Sequence, residues 1–82
     1  MRQQTVTVTI PGGIHARIAS ELAAVVAAHT SSVFLMAGRM TSLARSWEVL
    51  GLGVAHGEQV TVIADGRDEE QALAAVVALL GH

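Results

Sequence analysis

The stretch Thr5-Val6-Thr7-Val8-Thr9-Ile10-Pro11-Gly12-Gly13-Ile14-His15-Ala16-Arg17-Ile18 changes its hydrophobic period halfway along, and that change decides the fold class. Thr5 to Ile10 alternates strictly. Period two with β-branched residues predicts a strand whose buried face is Val6, Val8 and Ile10. Pro11-Gly12-Gly13 breaks it. Beyond the break, Ile14, Ile18, Leu22 and either Val25 or Val26 recur at helical spacing, while Arg17, Ser20, Glu21, Ala24 and Ala28 fall on other sides. Residues Ala16 to Ala28 therefore read as an amphipathic helix of about three turns, ended by His29-Thr30-Ser31.

Ser32 to Met36 reads as a second strand. Gly38-Arg39 is a plausible two-residue turn, and Met40 to Leu43 the returning strand. Met36 and Met40 flank that hairpin and are expected to pack as gap-fillers. Ser46 can cap a short helix through Val49 and Leu50, stopped by Gly51-Leu52-Gly53, and His56-Gly57 is a turn. Gln59 to Asp65, with Val60, Val62, Ile63 and Ala64, is a fourth strand. Asp68 is the expected N-cap of a last helix, with Gln71 at the capping-box position and acids in the first turn. Leu73, Val76, Val77 and Leu80 mark its buried stripe, and Gly81 sits where a helix C-terminus favours glycine. The order is β-α-β-β-α-β-α, with no repeat, linker or low-complexity tract. A hairpin between crossovers makes the sheet mainly antiparallel. Alternating strands leave one wet face, and three amphipathic helices cover the other. The expectation is a single-domain, two-layer α+β sandwich over residues 1–82.

Composition narrows the function. The chain has 82 residues, 51% of them hydrophobic, with one Trp, one Phe, no Tyr and no cysteine. Without cysteine there is no disulfide framework, thiol catalyst or thiolate metal site. The longest apolar run, Ala72 to Leu80, is far short of the ~20 residues that span a bilayer. Met1-Arg2-Gln3-Gln4 leads into alternating residues rather than the apolar block of a signal peptide, so a soluble, cytoplasmic protein is expected. A net charge of −2 with few aromatics argues against a nucleic-acid binder. A chain this short buries only about 60% of its unfolded surface. Much of its apolar content is Ala, so the core should be thin, with little room for a deep pocket.

The chemistry-bearing feature is Gly12-Gly13-Ile14-His15-Ala16-Arg17, where a loop meets the start of the first helix. Free backbone N–H groups and the helix dipole favour an anion there, and the glycine pair permits close backbone approach. Arg17 adds a permanent charge with a forked donor set suited to phosphate oxygens. His15 is an imidazole that can be neutral and nucleophilic near pH 7. The set could accept a phosphoryl group on His15. Spacing alone favours a helix cap with a solvated charge, and the chemistry also allows a passive anion site. His29, His56 and His82 show no metal-ligand spacing, and no metal or cofactor is called for.

Gly13-Ile14-His15-Ala16-Arg17-Ile18-Ala19-Ser20 resembles the active-site signature of HPr, the histidine phosphocarrier family of the bacterial phosphotransferase system. Chain length, element order, the position of the histidine, the Val49-to-Gly53 segment and the last helix extend the resemblance over the whole chain. It implies the HPr open-faced β-sandwich, a four-stranded antiparallel sheet with three helices on one face. It implies that His15 accepts a phosphoryl group at Nδ1 from phosphorylated enzyme I, charged by phosphoenolpyruvate, and passes it to a sugar-specific enzyme IIA. Arg17 would compensate the phosphohistidine charge, and the backbone of Ala16 and Arg17 would bind the phosphoryl group. Trp47, Leu50 and Ser20 would belong to the partner-docking surface, and the protein would act as a monomer.

The chain departs from the family pattern at three places. Ile18 stands where proline usually follows the arginine; it restores an N–H in the first helical turn and adds bulk on the buried side. Ser46 falls on the family's regulatory phosphorylation position when counted forward from His15, which would add a kinase to the partners. Counted back from Val49-Leu50-Gly51, Arg45 falls there instead, and a plain N-cap is the favoured reading of Ser46. Trp47-Glu48 is unusual in an apolar docking surface; Trp47 reads equally as an exposed contact or as an anchor of a thin core. These departures keep open an alternative, a regulatory or interaction protein that kept the fold with little carrier activity. A small-ligand binding domain is a third reading, weakened by the lack of a roomy apolar pocket.

Overall fold

The computed structural model of the chain describes residues 1–44 and 47–81. The elements follow the expected order: β1 (Arg2–Thr7), α1 (Ala16–Ala27), β2 (Ser32–Ala37), β3 (Met40–Leu43), a 3-10 helix (Trp47–Leu52), β4 (Gln59–Asp65) and α2 (Glu69–Leu80). The sheet runs β1-β4-β2-β3, with every neighbouring pair antiparallel. β2 and β3 close on Gly38-Arg39, and the other connections cross over, so the helices fall on one side. The two-layer α+β sandwich expected from the periodicity, open-faced as the resemblance implied, is therefore the fold. The Ser46 cap lies outside the described residues. No helix among those described is long and apolar enough to cross a membrane.

The first strand is shifted from its expected place. It pairs with β4 from Arg2↔Ala64 to Thr7↔Gln59, and there β4 ends. Val8 then makes a single bridge to Gly81, and the Thr9 N–H donates to the Leu80 carbonyl at 3.1 Å. The ladder extends back over Arg2 to Gln4 because backbone pairing on an edge strand does not need apolar side chains. The alternation itself holds: Val6 and Val8 are buried, and Ile10 packs against the core edge.

The helix-facing side of the sheet carries Val6, Val33, Leu35, Val60, Val62 and Ala64. Against it lie Ile18, Ala19, Leu22 and Val26 of α1, and Ala72, Val76 and Leu80 of α2. Ala19 and Ala72 let the helix backbones approach the core closely, which keeps the layer thin. Of the two valines left open in α1, Val26 is buried and Val25 only partly so. In α2 the fully buried stripe is Ala72-Val76-Leu80, with Leu73 and Val77 at its margin.

Two local expectations are corrected. Met36 and Met40 do not fill gaps. Met36 sits opposite Thr41 on the open sheet face, and both methionines are exposed. Asp68 occupies the N-cap of α2 but makes no side-chain cap bond. Its carboxylate instead accepts the Thr30 N–H (3.0 Å), the Ser31 N–H (2.9 Å) and the Ser31 hydroxyl, tying the α1–β2 loop to the start of α2. Those bonds, the Ser31 hydroxyl first and then the Thr30 N–H, hold the carboxyl well below the usual carboxylate range. The backward reach expected of Gln71 is made by Glu69, whose Oε1 accepts the Gly66 N–H at 3.2 Å.

Candidate functional site

The loop between β1 and α1 folds on itself and then onto a second segment. The Gly13 N–H donates to the Ile10 carbonyl at 2.9 Å, closing the turn, and the Ile14 N–H donates to the Val54 carbonyl at 3.0 Å. Gly13 has φ +71, and a Cβ there would overlap the Val54 oxygen and lie 2.7 Å from the Ala55 Cα. Only glycine fits, because the two backbones touch. Ile14 is buried and anchors the loop in the core.

His15 follows as the N-cap of α1, with extended backbone (φ −113, ψ −178) and no side-chain cap bond. Its carbonyl accepts the Ala19 N–H at 2.9 Å, starting the helix. Its ring lies beside Gly12, where a Cβ would stand 3.5 Å from the imidazole Cδ2. The residue is half-buried. His15 is thus the N-cap by position, and its imidazole makes no cap bond. Ala16 and Arg17 are the first two helical residues. Their N–H groups have no carbonyl one turn earlier in the helix, and no acidic residue occupies that first turn.

Arg17 is exposed and its guanidinium Nη1 lies 3.8 Å from the Glu21 carboxylate, one helical turn on. A pair this open, at the limit of contact, contributes only a few tenths of a kcal/mol. The guanidinium is therefore not locked in this pair. Ile18 is buried in the core. Its bulk is absorbed by packing, and its N–H lies among the orphan donors of the helix start.

The 3-10 helix packs against α1. Trp47 on it is 64% exposed, which settles its role as surface rather than core anchor; Val49 is the buried residue of that turn. Leu50 is half-buried and Ser20 exposed on α1. The expected docking residues thus lie on two elements that pack together. Ser46, Arg45 and His82 lie outside the described residues. His29 binds the Val25 carbonyl through Nδ1 at 2.8 Å, and His56 is exposed in its turn. Surface cavities of about 420 and 580 Å³ lie elsewhere, one behind Val54 and one beside His29 at the far end of α1. The partner missed from the sequence is the Val54-Ala55 strip. It contributes backbone, not side chains, so no motif announces it.

The chain matches the family described as the PTS HPr component phosphorylation site over residues 2–82. It is 38% identical to phosphocarrier protein HPr of Mycoplasma genitalium, over 98% of this chain and 93% of that one. HPr of Thermoanaerobacter tengcongensis superposes with a TM-score of 0.91 at 30% identity, covering 98% of this chain and 91% of that one. Crh of Bacillus subtilis, which forms a domain-swapped intertwined dimer, matches with a TM-score of 0.73 at 36% identity, covering 96% and 92%.

Proposed function

This chain belongs to the HPr family, and from that premise we propose that it carries a phosphoryl group on His15 between phosphorylated enzyme I and an enzyme IIA. The single observation that carries the assignment to this residue is the state of the α1 N-terminus. A half-buried histidine with no capping bond stands next to helical N–H groups that no carboxylate of the first turn occupies.

In the transfer, the His15 Nδ1 lone pair attacks phosphorus while the bond to the donor imidazole breaks. The phosphoryl group is conserved, no water is consumed, and the His15 Nδ1 valence requires that its ring proton reside on Nε2. Ala16 and Arg17 N–H groups donate to the phosphoryl oxygens. Arg17 leaves Glu21 and pairs with the new charge, which the weak 3.8 Å contact allows. The return of the group to enzyme IIA reverses these steps. Because two partners must reach one nitrogen, an exposed site on a compact scaffold suits the task better than a pocket. Trp47, Leu50 and Ser20 supply the adjoining docking surface, and the protein acts as a cytoplasmic monomer.

The test is labelling with enzyme I and phosphoenolpyruvate. One acid-labile, base-stable phosphoryl group per chain is expected, none with His15→Ala. Arg17→Ala should slow transfer roughly ten- to a hundredfold with the fold retained. Equal labelling of His15→Ala and the parent would overturn the proposal.

A further inference from the structure

We propose that Glu58 is a positioning residue for the His15 loop; its catalytic meaning rests on the phosphocarrier reading, its geometry does not. The loop has two backbone supports. On one side Gly13 is held by Ile10, just beyond Val8 at the end of the edge strand. On the other, Gly13 and Ile14 rest on the Val54-Ala55 strip. Glu58 joins both. Its carbonyl accepts the Val8 N–H at 2.9 Å and its own N–H donates to the Ala55 carbonyl at 3.1 Å. Its side-chain Oε1 accepts the Ala55 N–H at 2.7 Å. Next to it, the Gly57 N–H donates to the Val8 carbonyl at 2.8 Å.

The backbone contacts would survive any ordinary residue at this position. The carboxylate bond is the one that needs Glu58, and it is short and charge-assisted. Through it both polar groups of Ala55 are satisfied by the same residue, so the turn from Ala55 to Glu58 is closed from two sides. Removing it hands the Ala55 N–H to water and loosens the strip. The strip meets Gly13 backbone on backbone, where no side chain can adjust to absorb a shift. His15 is two residues further on. A phosphoryl acceptor depends on alignment with its donor, and small displacements of the nucleophile slow transfer.

The experiment compares the parent with Glu58→Ala and Glu58→Gln, which keeps the Oε1 acceptor without the charge. The readouts are the phosphoryl-transfer rate from enzyme I, the His15 ring resonances and the hydrogen exchange of the Ile14 amide. Glu58→Ala is expected to slow transfer roughly two- to tenfold, as for loss of one hydrogen bond acting on alignment. It should also shift the His15 resonances and speed Ile14 exchange, and Glu58→Gln should restore most of each. Parental resonances and exchange in Glu58→Ala would overturn the proposal, as would a Glu58→Gln protein as impaired as Glu58→Ala. If the parent takes no label while Glu58→Ala still moves the His15 resonances and Gln restores them, positioning by Glu58 stands and the carrier reading fails.

Discussion

α1 and α2 are each 12 residues long and lie on the same face of one sheet, yet their N-termini are treated in opposite ways. α2 begins with Glu69 and Glu70 in its first turn, and Asp68 just before it holds the Thr30 and Ser31 amides. Its positive end is met by the chain's own carboxylates. α1 begins with Ala16 and Arg17, carries no acid in its first turn, and is capped by a histidine whose ring makes no cap bond. The electrostatics of the two helix ends are alike. What differs is whether the first turn carries acids. At α2 the fold supplies it and gains a tie between distant segments. At α1 the first turn supplies none, and the helix start follows a glycine turn whose backbone rests on Val54 and Ala55.

Giving α1 an acid in its first turn, as α2 has, removes the difference between the two helix ends. Ala16→Glu puts a carboxylate into the exposed first turn of α1. It should leave the fold intact or stabilise it by about 0.3–1 kcal/mol. Transfer from enzyme I should fall roughly a hundredfold or more, because the carboxylate competes for the same donors and repels the incoming group. A well-folded Ala16→Glu protein that transfers at the parental rate would show that the helix end takes no part.

The reverse change tests α2. Asp68→Asn removes the charge and one acceptor, so the melting temperature should fall while His15 labelling is retained. The pH dependence has a definite sign. The folded-state carboxyl is depressed, so its stabilisation is complete above the unfolded value near 4 and is lost progressively as pH falls below it. The gap in melting temperature between parent and Asp68→Asn should therefore be widest at neutral pH and narrow below about pH 4. A gap constant from pH 2 to 7 would mean that the Ser31 and Thr30 bonds do not favour the ionised form. The smallest effect belongs to Glu21→Ala, which frees Arg17. Transfer should rise by about twofold at low salt and by less at high salt, with stability within about 0.5 kcal/mol of the parent. Slower transfer would show instead that Glu21 holds Arg17 in a useful place.

The legible parts of the chain were those where a period is short and local. Thr5 to Ile10 alternates because one sheet face is wet, and Ile14, Ile18, Leu22 and Val26 recur because one stripe of α1 is buried. Those patterns were enough for the element order, and the hairpin at Gly38-Arg39 for the antiparallel sheet. His15 and Arg17 were visible because a helix start can be located from the same period change. The misplacements have a common cause. Asp68 reads as a cap in any local window, and only the fold brings Thr30 and Ser31 to it. Met36 reads as core filler, but its parity on β2 puts it on the uncovered face opposite Thr41.

Neighbouring residues suffice for the α+β class, the buried faces of β1 and α1 and the placement of a histidine and an arginine at one helix start. Hydrophobic period and helix-end chemistry are written in neighbouring residues, so these needed no long-range information. Long-range packing turns Trp47 to solvent, gives Asp68 to the α1–β2 loop, and seats Gly13 on Val54 and Ala55 with Glu58 behind them. These depend on which backbone segments meet across the fold. Backbone groups are the same in every residue, and so such meetings leave no period or motif in the sequence.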